Sequence, residues 1–446
     1  MKNYSFMSKF KKYVSSSVVL IVCTVLALIC ANVPAIKDWY FQLWENEVSI
    51  SIGNFNFFSH NGHTMTVMQV INDFLMAIFF FSVGLEIKRE ILIGELSTKE
   101  KAMLPIIGAC GGMIIPVLVF MLFCPADAAM QRGVAIPMAT DIAFSLGVLS
   151  VFSKRVPVGL KVFLAALAVA DDLGGIIVIA LFYSSEIHVS YILLSLLCVI
   201  GMVLANKFKV RAKSFYVCVG LVLWYTMLNS GIHATIAGVI TAFCVPASLK
   251  KGTGHYLERI RENINLFPVI HVDEQHKTVV LTNSQIHVLK SIESAADKMI
   301  SPLQDLEDNM HFLISYIIIP LFAFANAGID LSQMSIGSLF SGVGLAAMLG
   351  LVIGKFVGVF TFSWAAVKAK IVKLPEGTTW KAFASVCVIC GIGFTVSMFI
   401  ADLSYAGLGE SGAALLNEAK LGVLCGSVIA AVLGAVLLNK TLPQEK

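Results

Sequence analysis

Residues 158–183 read VGLKVFLAALAVADDLGGIIVIALFY, a largely apolar run that is long enough to cross a bilayer as one helix and carries two adjacent aspartates near its middle. A carboxylate deep in a membrane costs a few kcal/mol, so such residues are kept where a cavity, a cation or a proton needs them. Successive residues of a helix point about 100° apart. We therefore expect Asp171 and Asp172 to face different surroundings, one an ion and the other a protein partner.

Composition indicates that lipid surrounds most of the chain. Hydrophobic residues make up 57% and charged residues 13%, against roughly 25% charged in a soluble domain. Several runs reach the ~20 residues that a membrane-spanning helix requires. We predict an all-α polytopic membrane protein with twelve transmembrane helices, at 16–35, 66–86, 103–124, 134–152, 157–183, 189–207, 214–229, 231–247, 310–329, 336–366, 381–401 and 414–438.

Lysines and arginines collect on alternating sides of successive spans, which sets the orientation. The richer side includes Lys88 and Arg89, and the poorer side has little beyond Lys37, Arg132 and Lys420. The richer side is therefore predicted to be cytoplasmic, together with both termini. The net charge of +4 reflects this topology and indicates no nucleic-acid partner.

Two segments interrupt the helical pattern. Alternating residues around Gly53-Asn54 predict a periplasmic β-hairpin within 45–60. A lone hairpin is marginally stable, so we expect it to pair with a second copy of the chain in a homodimer. Residues 248–306 predict an extended cytoplasmic loop, in which 284–300 has the pattern of a short amphipathic helix.

Charged residues of three spans are predicted to lie at one depth. Asp141 precedes the turn at 153–157 by about fifteen residues, and Asp171 and Asp172 follow it by about fifteen. At 1.5 Å per residue, both positions lie ~22 Å from that turn and can meet near the midplane. Lys355 lies at a similar distance from the basic cluster that begins at residue 368.

The fourth and eleventh spans contain helix-breaking residues. These are Gly133, Pro137 and 139–141 in the fourth, and the glycines and hydroxyls of 391–397 in the eleventh. Unwound backbone at membrane depth is tolerated where it lines a cavity, and opposed half-helices direct their dipoles at the membrane centre. The stripe of glycines at 350–358 predicts close helix packing instead.

Seven motifs, in order along nearly the whole chain, resemble those of the NhaA-type sodium/proton antiporters. They are GLEIKRE at 84–90, PMATDIAF at 137–144, DDLG at 171–174, GIHAT at 231–235, PLFAFANAG at 320–328, LPEGTT at 374–379 and CGIGFTVS at 390–397. The resemblance implies one transporter domain, 1–446, with inverted repeats at 103–183 and 336–438 whose broken helices cross, an architecture of which this family is a standard example.

The resemblance also implies roles for individual residues. Asp172 is expected to be the main ligand of the transported sodium and a proton carrier, with Asp171 and Thr140 as further sodium ligands. Asp141 is expected to shape the site, and Lys355 to pair with Asp171 when no sodium is bound.

A second group matches positions that the family associates with pH sensing at a cytoplasmic funnel: Glu86, Arg89, Glu90, Glu307 and His311. Two departures fall in this region. Asp308 stands where a second histidine often follows the glutamate, and the cytoplasmic loop is longer than in compact members of the family.

The implied activity is exchange of cytoplasmic sodium or lithium for external protons, at two protons per sodium, across a bacterial inner membrane. It serves sodium extrusion and pH homeostasis. A hard cation prefers oxygen ligands and binds carboxylates only when they are deprotonated, so sodium and protons exclude each other. We expect no enzymatic activity and no cofactor; the expected partners are membrane lipid, Na⁺, H⁺ and a second copy of the chain.

Other classes fit less well. An intramembrane aspartyl protease would use two aspartates on neighbouring helices, but its Gly-x-Gly-Asp signature is missing. An ATP-driven pump needs the phosphate-binding Gly-x₄-Gly-Lys-Ser/Thr, and Gly354-Lys355 is followed by Phe356. A sodium-coupled solute symporter of related architecture stays open as the alternative, because only transport assays separate it from an antiporter.

Overall fold

A computed structural model describes residues 15–442 except 54, 61, 154, 183–186, 249–251, 268–280 and 334–341. The two chain ends, the predicted turn residue Asn54 and the middle of the predicted cytoplasmic loop lie outside the described residues. Each of the twelve predicted spans contains a helix, since apolar backbone in lipid must satisfy its hydrogen bonds internally.

The helices of the first half are α1 (Ser16–Asn32), α2 (Pro34–Glu45), α3 (Val67–Ile93), α4 (Lys99–Phe123), a 3₁₀ segment (Met130–Met138), α5 (Ile142–Val151), α6 (Val158–Phe182), α7 (Val189–Lys207), α8 (Lys213–Leu228) and α9 (Ile236–Cys244). Those of the second half are α10 (Thr253–Leu266), α11 (Asn283–Asp297), α12 (Pro302–Asn326), α13 (Gly342–Lys368), α14 (Trp380–Ile389), α15 (Phe394–Tyr405) and α16 (Gly409–Thr441).

Among the described residues, 7 helices are long and apolar enough to span a membrane alone, or up to 10 if each of three bent pairs is one span. The shorter α8 and α9 occupy the seventh and eighth predicted positions. The fourth and eleventh spans are bent pairs, by 42° between the 3₁₀ segment and α5 and by 43° between α14 and α15. The predicted polytopic α-helical fold with two broken helices is confirmed.

Five short strands lie between α2 and α3: β1 (Glu47–Val48), β2 (Ser51–Ile52), β3 (Phe55–Asn56), β4 (Ser59–His60) and β5 (His63–Thr66). The predicted hairpin is β2–β3, in which Ser51 pairs with Asn56. The sheet region is larger than predicted, because β1, β5 and β4 form a second, three-stranded sheet. Since β5 leads directly into α3, this end of the molecule is called the sheet side below.

Glycines let α13 pack closely on α4. A Cβ on Gly358 would lie 2.1 Å from the carbonyl oxygen of Gly111, and one on Gly354 would lie 2.7 Å from Cα of Pro116. This agrees with the packing predicted from the glycine stripe. A π-helical turn at Gly350–Gly354 also ends directly before Lys355.

In the predicted cytoplasmic loop, the expected amphipathic helix is α11. It begins at a capping box in which Thr282 and Gln285 exchange hydrogen bonds. The second helix of this loop, α10, packs against it.

Candidate cation site

The two broken helices cross, and each satisfies backbone groups that the other leaves free. The amide of Asp141 donates to the carbonyl of Ile392 at 2.7 Å, and the Thr140 hydroxyl donates to the carbonyl of Cys390 at 2.9 Å. Irregular backbone at this depth needs such partners because lipid offers none. The crossing therefore holds residues 139–141 against 390–393.

Asp141 fastens the crossing from the side of α5. Its Oδ1 accepts the amide of Phe144 at 2.9 Å and so caps α5. Its Oδ2 accepts hydrogen bonds from the hydroxyl of Thr395 at 2.6 Å and from the backbone amide of the same residue at 3.2 Å. Asp141 thus links α5 to α15 at the crossing; its expected role in shaping the site stays a prediction.

Asp171 faces a protein partner. Its Oδ2 lies 2.7 Å from Nζ of Lys355 and accepts the Thr140 hydroxyl at 2.8 Å. The side chains of the ion pair are both 0% exposed. Lys355 also donates to the carbonyl of Met138, at the end of the 3₁₀ segment. One lysine thus ties α13 to α6 and to the first break.

Asp172 faces the other way, into a cavity of about 380 Å³. Its Oδ1 is buried, and no donor among the described residues lies within hydrogen-bond distance of it. Glu86, Asp141 and His311 line the same cavity, and its described lining contains no lysine or arginine. Such a surface attracts cations. We call this cavity the funnel.

The predicted pH-sensing residues form two groups. Arg89 joins α3 to α12, with Nη1 2.7 Å from Oε1 of Glu307 and Nη2 3.0 Å from Oε1 of Glu90. Glu86 and His311 line the funnel, whereas Arg89, Glu90 and Glu307 are not among its lining residues. The arginine cluster therefore lies beside the route to Asp172 and outside the cavity itself.

A second buried polar network was not predicted from the sequence. Asn72 of α3, Asn326 of α12, Asp402 of α15 and Lys420 of α16 are joined by hydrogen bonds. Lys420 was predicted to lie on the side of the membrane that is poor in basic residues. It is instead buried inside the protein, with 7% of its surface exposed. Asp402 and Lys420 are charged residues in or beside predicted spans, so their depth could have revealed them, whereas the two neutral asparagines carry no comparable signal.

Comparison with known proteins identifies relatives over nearly the whole chain. The family model described as Na+/H+ antiporter 1 matches residues 8–438. The Na(+)/H(+) antiporter NhaA of Phocaeicola vulgatus is 51% identical over 444 residues, covering 99% of this chain and 97% of that protein. The protein of the same name from Bacteroides thetaiotaomicron is 48% identical over 446 residues, covering 100% of this chain and 98% of that protein. The one from Shewanella pealeana is 40% identical over 431 residues, covering 97% of this chain and 96% of that protein.

The crossed broken helices, the buried ion pair and the carboxylate-lined funnel define a multi-pass membrane transporter for a small cation, not an enzyme. The chain belongs to the Na+/H+ antiporter 1 family. Because the relatives named above are antiporters, the symporter alternative finds no support.

Proposed function

We propose that this protein exchanges cytoplasmic Na⁺ or Li⁺ for external protons at a site formed by Asp172, Asp171 and Thr140. The observation that carries the proposal is the carboxylate of Asp172, which lines the funnel and has one buried oxygen with no donor among the described residues. A buried oxygen of this kind needs a proton or a cation to satisfy it.

Sodium and protons compete for these oxygens. An ion entering the funnel meets Asp172 first, and Oδ1 of Asp171 likewise has no donor within the part of the chain that the structure describes. Hard cations bind carboxylate and hydroxyl oxygens, and the carboxylates must be deprotonated to bind them. Sodium binding therefore releases the proton of Asp172.

The Lys355–Asp171 pair provides a second change of charge. A sodium ion bound to the Asp171 carboxylate weakens the attraction between that carboxylate and Lys355, because the sodium ion and the ammonium group share one negative charge. We assign the second proton of the cycle to this pair. With two protons per sodium the exchange is electrogenic, so the membrane potential drives sodium out and supports pH homeostasis.

The location and assembly belong to the same proposal. The positive-inside rule supports a cytoplasmic funnel in the inner membrane of a bacterial cell, because Lys88 and Arg89 lie near the end of α3 and Lys207 lies at the end of α7. In the described residues the β2–β3 hairpin does not pair as a strand with the other sheet, and the Ser59 hydroxyl of β4 donates to the carbonyl of Asn56 at 2.8 Å. The unpaired strand edges of this hairpin favour pairing with a second copy in a homodimer.

Proton movement in proteoliposomes tests the exchange. Proteoliposomes with an acidic interior quench a pH-sensitive dye, and sodium, lithium or potassium chloride is then added outside. Dequenching by sodium and lithium but not potassium is expected for the parent. Asp172→Asn keeps the side-chain shape but can carry neither the charge nor the proton, so it should abolish the signal.

Asp38→Asn is the matched control, since Asp38 is exposed on α2 far along the chain from the site; it should exchange like the parent. Exchange by Asp172→Asn at saturating sodium would overturn the assignment. Sodium-dependent dequenching that needs an added organic solute would revive the symporter.

A further inference from the structure

The buried network missed in the sequence is a directed chain of hydrogen bonds. Lys420 Nζ donates to Oδ1 of Asn326 at 3.2 Å, Asn326 Nδ2 donates to Oδ1 of Asn72 at 2.9 Å, and Asn72 Nδ2 donates to Oδ2 of Asp402 at 2.7 Å. All three donors point from the lysine towards the aspartate. Two aligned amides therefore bridge opposite charges, and each bond of such a chain polarises the next.

These four residues join two pairs of helices. Asn72 and Asn326 belong to α3 and α12, which also line the funnel through Glu86 and His311. Asp402 and Lys420 belong to α15 and α16, and α15 begins at the crossing beside Thr395. The chain thus connects the helices of the funnel wall to the helices that hold the second break.

The network lies on the side of the site opposite the funnel. Asn72 is five residues into α3 from the sheet side and fourteen before Glu86, a rise of about 20 Å. Asp402 follows Thr395 by seven residues, or about 10 Å towards the sheet side.

An aromatic layer lies between the network and the site. Phe399 of α15 is 0% exposed and packs on Phe80 of α3 and Phe322 of α12, at ring-centroid distances of 5.7 and 6.3 Å. The same three helices therefore contribute an aromatic layer and then Asn72, Asn326 and Asp402 of the network. The funnel wall and α15 are in direct aromatic contact on the sheet side of the site.

We propose that Asp402, Asn72, Asn326 and Lys420 form a latch that holds the sheet side of the transporter closed while the funnel is open. The inference rests on the proposed exchange, in which one site must face each side in turn by movement of one helix group against another. The closed latch favours the funnel-open form, because separating either partner of a buried charge pair leaves the other uncompensated. When the helices part, water entering from the sheet side hydrates both charges and limits the cost of opening.

Removing the charges should shift the balance between the two forms. The apparent affinity for an ion on one side falls in proportion to the fraction of protein open to that side. In Asp402→Asn, the sodium KM measured from the funnel side should rise and the KM from the sheet side should fall. We expect their ratio to change by about threefold or more.

The experiment measures sodium-dependent exchange in membrane vesicles of both orientations, right-side-out and inside-out. The double variant Asp402→Asn/Lys420→Gln removes both charges of the latch and keeps the test usable if the single variant fails to fold; it should shift the ratio in the same direction. Asp330→Asn is the control, since it removes an ion pair with Lys37 on the sheet side that does not involve α15 or α16.

A ratio that stays at the parent value in both latch variants, or KM values that move by the same factor on both sides, would overturn the latch. A parent protein that exchanges no protons for sodium would instead refute the proposed function. Opposite shifts in the two KM values, with the control unchanged, would support the latch, because general loss of structure lowers both affinities or the maximal rate alone.

Discussion

Nζ of Lys355 lies 2.7 Å from Oδ2 of Asp171 at a depth where neither side chain reaches solvent. The same ammonium group donates to the carbonyl of Met138 at the first helix break. Burying an ion pair costs desolvation free energy, and removing one partner costs more because the other charge is left buried and uncompensated. The stability of the crossing therefore depends on both partners being present.

Lys355→Ala should melt earlier than the parent at low sodium. Removing one partner of a buried pair typically costs about 3–5 kcal/mol, because the remaining charge has no compensation. Thermal unfolding in detergent, followed by tryptophan fluorescence, measures the difference. Lys368→Ala is the control, since that lysine lies at the end of α13 over the ring of Trp364. Equal melting of parent and Lys355→Ala would show that the pair does not stabilise the fold.

Thr395→Val should also destabilise the crossing, by about 1–3 kcal/mol. The valine keeps the shape but removes the hydroxyl that donates to Asp141 at 2.6 Å. The carboxylate keeps its bond from the Thr395 amide, so the cap of α5 should survive. Thermal unfolding of the purified variant is the measurement, with Thr361→Val as control because its hydroxyl bonds only within α13, to Val357. A loss no larger than that of the control contradicts the prediction.

Much of this architecture could be predicted from the sequence. Apolar run lengths located the spans, and glycines and Pro137 located the breaks, because a helix in lipid has few other ways to end. The depth argument brought Asp141, Asp171 and Lys355 to one level, where the structure joins them through Thr140 and the crossing backbone.

Other parts left no readable signal. Asn72 and Asn326 are neutral amides within apolar segments, and their pairing depends on helix rotations that hydropathy does not specify. The π-helical turn before Lys355 is a backbone irregularity with no side-chain signature. The 111° bend between α1 and α2 follows Val33 and Pro34, yet the predicted first span continued through it.

Asp330 should make stability depend on pH in acid. Partial burial raises the pKa of its carboxyl, but hydrogen bonds from Lys37 and Ser332 outweigh burial and hold that pKa below its ordinary value. The unfolded chain has a pKa of about 3.9. The contribution of Asp330 is therefore complete above that value and is lost as the pH falls through the lower folded pKa.

Asp330→Asn is accordingly expected to melt below the parent at neutral pH, with the difference closing in strong acid. Melting temperatures measured from pH 7 down to pH 2 in one buffer series check this. A difference of constant size across the series would mean that the Lys37 ion pair at 2.6 Å is not responsible.

Deleting residues 47–58 should yield monomers that still exchange sodium. The deletion removes β1, β2 and β3, including the hairpin that forms a separate two-stranded sheet in the described residues. Asp171, Asp172 and Lys355 are untouched, and all belong to the same chain. Light scattering of the purified protein reports the mass, and the dye assay reports exchange. A deletion variant that remains dimeric refutes strand pairing as the interface.

Glu307→Gln should make the pH profile of exchange shallower. Oε1 of Glu307 lies 2.7 Å from Nη1 of Arg89. This ion pair joins α12 to α3, the two helices that carry His311 and Glu86 into the funnel. The ion pair requires an ionised Glu307, so protonation of Glu307 adds to the pH dependence that comes from the central aspartates. Glutamine removes this contribution at every pH, whereas the sodium KM at saturating pH should stay constant because Asp172 is unchanged. Asp305→Asn is the matched control, since Asp305 lies two residues earlier and pairs with Lys213 away from Arg89. If Glu307→Gln and His311→Ala both give profiles that superimpose on the parent's, regulation lies with the central aspartates alone, whose competition between protons and sodium already lowers activity in acid.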